Sequence, residues 1–247
     1  MASIKQSDIT EYVESHIGEF HSRRLESLKI LKLNDILSRK NPYLFRAKNI
    51  LIPHDLVKGI LDAHLSSQEE AIFGDFLENL AIYINSIVYG GRKSSAHGID
   101  LEFSKEEISY IVSIKSGPNW GNSSQISKMK IDFRAAKKVL HTSNAKGQVI
   151  AINGCCYGKD QHPYKGEYYK YCGQDFWEFI SGEEKLFLDI IQPLGHRAKE
   201  KNEEFIIEYS RMITRFTKDI SENFCTNDQI DWEKLLKFNS GKQGVKD

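Results

Sequence analysis

The chain is short of most features that mark specialised protein classes. Only four cysteines occur in 247 residues. Cys155, Cys156, Cys172 and Cys225 show no Cys-x-x-Cys spacing, which argues against a structural zinc module. So few thiols also exclude a disulfide-dense secreted scaffold and fit a reducing, cytoplasmic compartment. The adjacent Cys155 and Cys156 lie in an apolar stretch and read as buried strand residues. No low-complexity linker and no internal repeat divides the sequence. No apolar run approaches the roughly 20 residues needed to cross a bilayer, so no membrane role is expected. The opening MASIKQSDITEYVESH lacks the apolar stretch of a signal peptide. Neither sign of charge is in excess: Lys+Arg and Asp+Glu are both 34, and the sequence pI is about 7.1. This balance argues against a uniformly basic nucleic-acid coat but leaves room for a DNA enzyme with one basic face. No GxxxxGK[ST] loop supports ATP-driven translocation, and the eight histidines show no HExxH spacing.

What is present describes a globular protein, 40% hydrophobic and 28% charged, near the upper size for one compact domain. Residues 5–38 read as helical, with Ile9, Tyr12, Val13, Ile17 and Phe20 at three- and four-residue spacing. Asn41-Pro42 breaks that pattern. A short helix is expected over 54–65 and a longer one from Ser67 to Val88. After Tyr89-Gly90-Gly91 the period changes. Strands are expected at 99–103, 107–115, 147–158 and Tyr168–Tyr171, with helices at 123–141 and Gln174–Ile180. From about 183 to 238 the chain reads as amphipathic helix, and the terminal GKQGVKD as a frayed tail. The expected class is α/β, a mixed sheet flanked by helices. Its segments are an N-terminal helical region (1–66), a core (67–182) and a C-terminal helical region (183–247), forming one continuous domain.

Chemistry concentrates in GIDLEFSKEEISYIVSIKSGPNWGNSSQ, residues 98–125. Asp100 stands on one strand, and a turn-like SKEE leads to a second strand carrying Ser113-Ile114-Lys115. Side chains alternate across a strand, so two antiparallel strands would bring Asp100 and Lys115 together at one sheet edge. A carboxylate, a backbone carbonyl such as that of Ile114, and a lysine are what metal-assisted phosphodiester hydrolysis needs. An Asp and a Lys on neighbouring strands also occur as solvated strand-end charges, and the spacing alone does not choose between these readings. In GPNWGNSSQ, Asn119, Trp120, Asn122, Ser123, Ser124 and Gln125 offer groups suited to phosphates or base edges. The same stretch could cap the next helix through Ser123 or Ser124. Lys128, Lys130, Arg134, Lys137 and Lys138 follow on that helix, facing either phosphates or solvent. His97, at the strand entrance, reads as structural or exposed.

The segments GID and IKSGPNWGNSSQ, with KNPYLFRAKN (40–49), FGDFLENLAIYI (73–84) and GQDFWEFISG (173–182), resemble type II restriction endonucleases of the PD-(D/E)XK superfamily. The resemblance is to the branch whose third motif is S-x-K-(S/A)-G. It implies a restriction-endonuclease-like fold, Mg2+ as cofactor, and cleavage of double-stranded DNA at a short palindromic site by a homodimer. The 183–238 helices, rich in Phe and Ile, are the expected partner surface. A cognate DNA methyltransferase is expected in the same system, without a stable complex. Asp100 and Lys115 would be catalytic, with Asp100 and Ile114 at the metal. One departure stands out: Ser113 occupies the position of the second acidic residue, and a hydroxyl cannot supply that charge. Glu78 on the first core helix is the preferred substitute as catalytic and metal-binding acid, followed by Glu102 and then Asp132. Two other functions remain compatible with these residues: a structure-specific repair or recombination nuclease on the same core, and a catalytically inactive DNA-binding protein.

Overall fold

A computed structural model describes residues 3–142 and 147–242; residues 243–247, most of the terminal GKQGVKD, lie outside the described residues. The chain forms two compact units, Met1–Phe20 with Ala71–His196 and His21–Glu70 with Arg197–Asp247. The segments 1–66 and 183–247 thus each contribute to both units.

The first unit holds the sheet. Strands β1 (Arg92–Lys93), β2 (Leu101–Lys105), β3 (Ile108–Lys115), β4 (Val149–Cys155) and β5 (Tyr169–Cys172) lie in that spatial order. The β1–β2 and β2–β3 pairs are antiparallel, and β3–β4 and β4–β5 are parallel. Parallel pairs need crossover connections; α5 (Ser123–Thr142) makes the one between β3 and β4. Helix α5 covers one sheet face, burying Met129, Phe133 and Ala136 with Ile99, Ile111, Val149 and Ala151. The opposite face buries Leu101, Val112, Ile114 and Ile152 with residues of α1 (Gln6–Lys29), α4 (Pro53–Tyr89) and α6 (Gln174–Ser181). Burial on alternate residues of β3, Ile111 to one side and Val112 and Ile114 to the other, is why this strand reads as nearly continuous apolar sequence. The expected α/β architecture is therefore present. Cys155 and Cys156 are buried free thiols, and desolvation raises both well above the ordinary thiol range, Cys156 to about 12.

Several local expectations change. The helices expected at 54–65 and 67–88 are one 37-residue helix, α4, because Ser66 and Ser67 are tolerated within a helix whose flanks are both buried. By length and composition α4 could cross a membrane, but 44% of the qualifying window is buried; its Leu77, Leu80, Ala81, Ile84 and Val88 belong to the protein core. Asn41-Pro42 begins a helix rather than only ending one. The Asn41 side chain accepts from Tyr43 N–H at 3.0 Å, and Pro42 opens α3 (Pro42–Ala47), a favoured pairing because Pro lacks the N–H that would go unpaired there.

The second unit is helical, formed by parts of α1 and α4 with α2 (Leu33–Leu37) and α3, and closed by the later elements. The segment read as amphipathic helix over 183–238 is instead divided. Short α7 (Leu186–Asp189) and α8 (Ile191–Leu194) belong to the first unit. Helix α9 (Ala198–Phe224), a hairpin of β6 (Cys225–Thr226) and β7 (Gln229–Ile230), and α10 (Trp232–Ser240) belong to the second. Asn227 and Asp228, at φ 52 and 60, make the tight turn of that hairpin, a conformation both residue types tolerate.

The β2–β3 turn makes the same demand of worse residues. Glu106 and Glu107 have φ of 51 and 63 between the paired Lys105 and Ile108. A left-handed residue other than Gly, Asn or Asp costs about 1–2 kcal/mol. Asn-Gly is the preferred pair in two-residue hairpins. The double variant Glu106→Asn, Glu107→Gly is expected to gain about 1–2 kcal/mol, read in a thermal melt as a rise of roughly 2–8 °C. An unchanged or lower midpoint would refute the strain assigned to this turn.

Candidate active site

The β2–β3 ladder ends at the Leu101–Val112 pair, and the next residue back, Asp100, is held by its backbone on both sides. Its N–H donates to the Val112 carbonyl at 2.9 Å, and its carbonyl accepts from Ser94 N–H at 3.2 Å. The carboxylate takes over where the ladder stops: Asp100 Oδ2 accepts from Ile114 N–H at 2.6 Å. The buried Ser113 hydroxyl approaches the same oxygen at 3.5 Å, the outer limit of a hydrogen bond. Lys115 Nζ lies 3.7 Å from Asp100 Oδ2 and donates to the Ile114 carbonyl at 2.8 Å. Asp100, the Ile114 carbonyl and Lys115 are thus assembled at one end of β3, a juxtaposition that two antiparallel strands produce from residues 15 apart in sequence.

Glu78 reaches this end from α4. One turn earlier on that helix, Gly74 lies where an added Cβ would be 3.7 Å from the Ser116 Cβ, so α4 passes over the exit of β3. Burial pushes the Glu78 carboxyl above its usual range, and the negative charge of Asp100 pushes it further. Lys93, hydrogen-bonded at 3.3 Å, and Lys115 act in the opposite direction. Two carboxylates that repel one another across a partly desolvated site favour a cation between them.

The other candidate acids have local partners. Glu102 faces Arg92 across the sheet and accepts from Arg92 Nε at 2.6 Å and Ser94 Oγ at 3.2 Å. Asp132 lies 3.2 Å from His97 Nδ1, which gives His97 a partner.

Two residues that sequence inspection overlooked fix the geometry. Asn153, buried on β4 opposite Ser113, donates to the Ser113 carbonyl at 3.2 Å and accepts from Trp120 Nε1 at 3.1 Å. The Trp120 ring in turn lies 5.4 Å from Lys115 Nζ, within cation–π reach. Trp120 therefore packs against the site itself. Lys170, opposite Asn153 on β5, donates to the Pro118 carbonyl at 2.8 Å. Gly117 permits the loop's close approach to Tyr157, whose ring occupies the space a Cβ would need. Only the amide in the otherwise apolar run VIAINGCC signalled Asn153, since a buried amide must find partners.

The loop's polar residues divide in two. Gln125 Oε1 accepts from Asn122 N–H at 2.9 Å, and Asn122 Oδ1 accepts from Gln125 N–H at 3.0 Å. This reciprocal capping box starts α5 and corrects the expectation that Ser123 or Ser124 is the cap. Asn119, Ser123 and Ser124 are exposed. Of the α5 cations, Lys130 and Arg134 pair with Glu167 at 3.7 and 3.0 Å, and Lys137 reaches its carbonyl at 3.5 Å.

Among the described residues no three His, Cys, Asp or Glu side chains form a metal cluster. Two carboxylates and a backbone carbonyl nevertheless make an all-oxygen donor set. That suits a hard divalent cation, which commonly takes one or two protein carboxylates and fills its shell with water and phosphate. A family model described as type II restriction endonuclease EcoO109I matches residues 7–202. No curated protein matches the chain. With most of the sequence matched, including Asp100, Lys115 and Glu78, the chain belongs to the type II restriction endonuclease EcoO109I family and is a site-specific DNA endonuclease.

Proposed function

We propose that this protein hydrolyses phosphodiester bonds of double-stranded DNA in a Mg2+-dependent reaction at a short palindromic sequence, acting as a homodimer. The convergence of Asp100, the Ile114 carbonyl, Lys115 and Glu78 at one end of β3 carries this reading. Asp100 and Glu78 would hold the cation with the Ile114 carbonyl. Bound Mg2+ supplies Lewis acidity at the phosphoryl group and lowers the pKa of a coordinated water. Lys115 places a fixed positive charge where negative charge grows and orients the attacking water, and Trp120 restricts the lysine's freedom. Ser113 contributes a neutral hydroxyl only, so Glu78 supplies the second negative charge. The products would carry a 5′-phosphate and a 3′-hydroxyl.

The exposed Asn119, Ser123 and Ser124 extend from the loop beside the site as DNA contacts. Asn122 and Gln125 use only their side-chain oxygens in the capping box. A cognate methyltransferase would protect host DNA without forming a stable complex. The 183–238 region remains the proposed partner surface.

Incubation with long duplex DNA tests this function. Discrete fragments with Mg2+, none in EDTA, and binding without turnover in Ca2+ are expected, because the looser Ca2+ shell activates water poorly. Light scattering is expected to give twice the 28.4 kDa chain mass. Smeared or junction-only products would identify a structure-selective nuclease. Binding without cleavage in Mg2+ would identify an inactive DNA-binding protein, and undiminished cutting in EDTA would exclude the metal.

A further inference from the structure

The helical unit carries a basic surface that the site at β3 does not use. Residues 36–54 hold Arg39, Lys40, Arg46 and Lys48 and no Asp or Glu, leaving 30 basic against 34 acidic residues in the rest of the chain. Elsewhere in the same unit many cations are neutralised locally, as in Lys29–Glu26, Lys58–Asp62 and Lys237–Glu233. Arg39, Lys40, Arg46 and Lys48 form no ion pair among the described residues. Arg46 instead lies over the Trp232 ring at 5.8 Å, a contact that leaves its charge uncompensated.

The surface is built firmly. Pro42 and Phe45 of α3 are buried, and Asn41 caps the helix. Asn239 Nδ2 donates to the Leu37 and Lys40 carbonyls at 2.7 and 3.1 Å. This anchoring leaves Tyr43 66% and Leu44 49% exposed, beside exposed Arg39, Arg46 and Lys48. Unneutralised cations repel one another and gain from a polyanion. An exposed tyrosine adds a phosphate hydrogen-bond donor and an apolar face for sugar or base.

We infer that the α3 surface, centred on Arg39, Tyr43, Arg46 and Lys48, is a second DNA-binding site that grips the duplex backbone. The inference rests on the proposed DNA substrate and adds to it an anchoring surface separate from the Asp100–Lys115 centre. Each phosphate neutralised releases counterions, so this surface contributes affinity that falls with salt and carries little sequence preference.

The test uses a fluorescein-labelled 40-base-pair duplex of mixed sequence, titrated in EDTA from about 50 to 200 mM salt, the range over which phosphate contacts dominate. For Arg39→Glu, Arg46→Glu, Lys48→Glu, a roughly tenfold to hundredfold weaker affinity at about 100 mM salt is expected, with a log–log salt slope shallower by about two to three. Arg39→Glu, Lys48→Glu keeps the Arg46–Trp232 contact and guards against misfolding; it is expected to lose about two slope units. The control reverses three other exposed cations, Lys5→Glu, Arg23→Glu and Lys29→Glu, and should lose less than about a quarter of that slope change if position rather than net charge decides. An unchanged slope in both α3 variants, or an equal loss in the control, would overturn the inference while wild-type cleavage leaves the proposed function standing. Loss of the dimer mass with DNA affinity intact would overturn it by making the surface a subunit interface. A wild type that neither binds nor cuts DNA would remove both readings.

Discussion

Lys115→Ala is expected to lower the rate of DNA cleavage at least about a thousandfold, the loss typical of a group that meets charge developing in the transition state. DNA affinity should stay within about threefold, because binding is dominated by phosphate contacts spread over the protein. The fold should also survive. Lys115 is partly exposed, its pair with Asp100 is 3.7 Å long, and the strand is fixed by neighbours that keep their partners. Asp100 still accepts from Ile114 N–H, and Asn153 still joins the Ser113 carbonyl to Trp120. Lys115→Met, which retains an unbranched side chain against Trp120, should be as inactive as the alanine variant. Single-turnover cleavage with saturating enzyme separates this chemical defect from a binding defect. Wild-type rates in either variant would dismiss Lys115 as the catalytic lysine.

Glu78→Gln is expected to slow cleavage at least about a hundredfold, and Glu102→Gln less than about tenfold. The ranking follows from surroundings. Glu102 is tied to Arg92 and Ser94, whereas Glu78 feels the charges of Asp100 and Lys115 directly. The same surroundings fix the sign of a pH effect. Glu78 has its carboxyl raised by burial and then by Asp100, so the folded protein holds this proton more tightly than the unfolded chain. Proton uptake therefore stabilises the fold; that contribution is full below the unfolded value and is lost as pH rises through the raised folded value. In metal-free buffer near pH 8, Glu78→Gln should consequently melt higher than wild type, and the difference should shrink as pH falls through the Glu78 titration. At Mg2+ well below saturation, cleavage by the wild type should fall over that same interval, because the proton competes with the cation for Glu78. A lower melting point at pH 8 would contradict the repulsion between Glu78 and Asp100. A larger loss in Glu102→Gln would move the metal site onto β2, and small losses in both would point to Asp132.

Local chemistry in the sequence determined much of this protein. Alternation at Leu101 and Phe103 and the apolar run to Lys115 were enough to place two strands side by side, although β2 begins only at Leu101, leaving Asp100 just before it and Ile99 on the opposite face from Leu101. Helix α5 was legible because an apolar stripe follows the loop, and the Asn122–Gln125 spacing held its cap, although Ser123 and Ser124 stood beside it as competing cap residues. The Asn41-Pro42 pair was ambiguous for a similar reason, because proline ends one helix as readily as it begins another.

Long-range packing decided the rest. Whether 54–88 is one helix or two depends on burial along both of its halves, which no window of sequence contains. That Glu78 rather than Glu102 faces Asp100 depends on where α4 crosses the end of β3, and the close approach at Gly74 and Ser116 joins residues 42 apart. Asn153 acquired its place only when β4 paired with β3, and Trp120 only when its indole found that amide. Periodicity fixes which way a side chain points from its own element; which charge or amide it meets is set by the packing of elements distant in sequence, and the polar partners at this site are set in that second way.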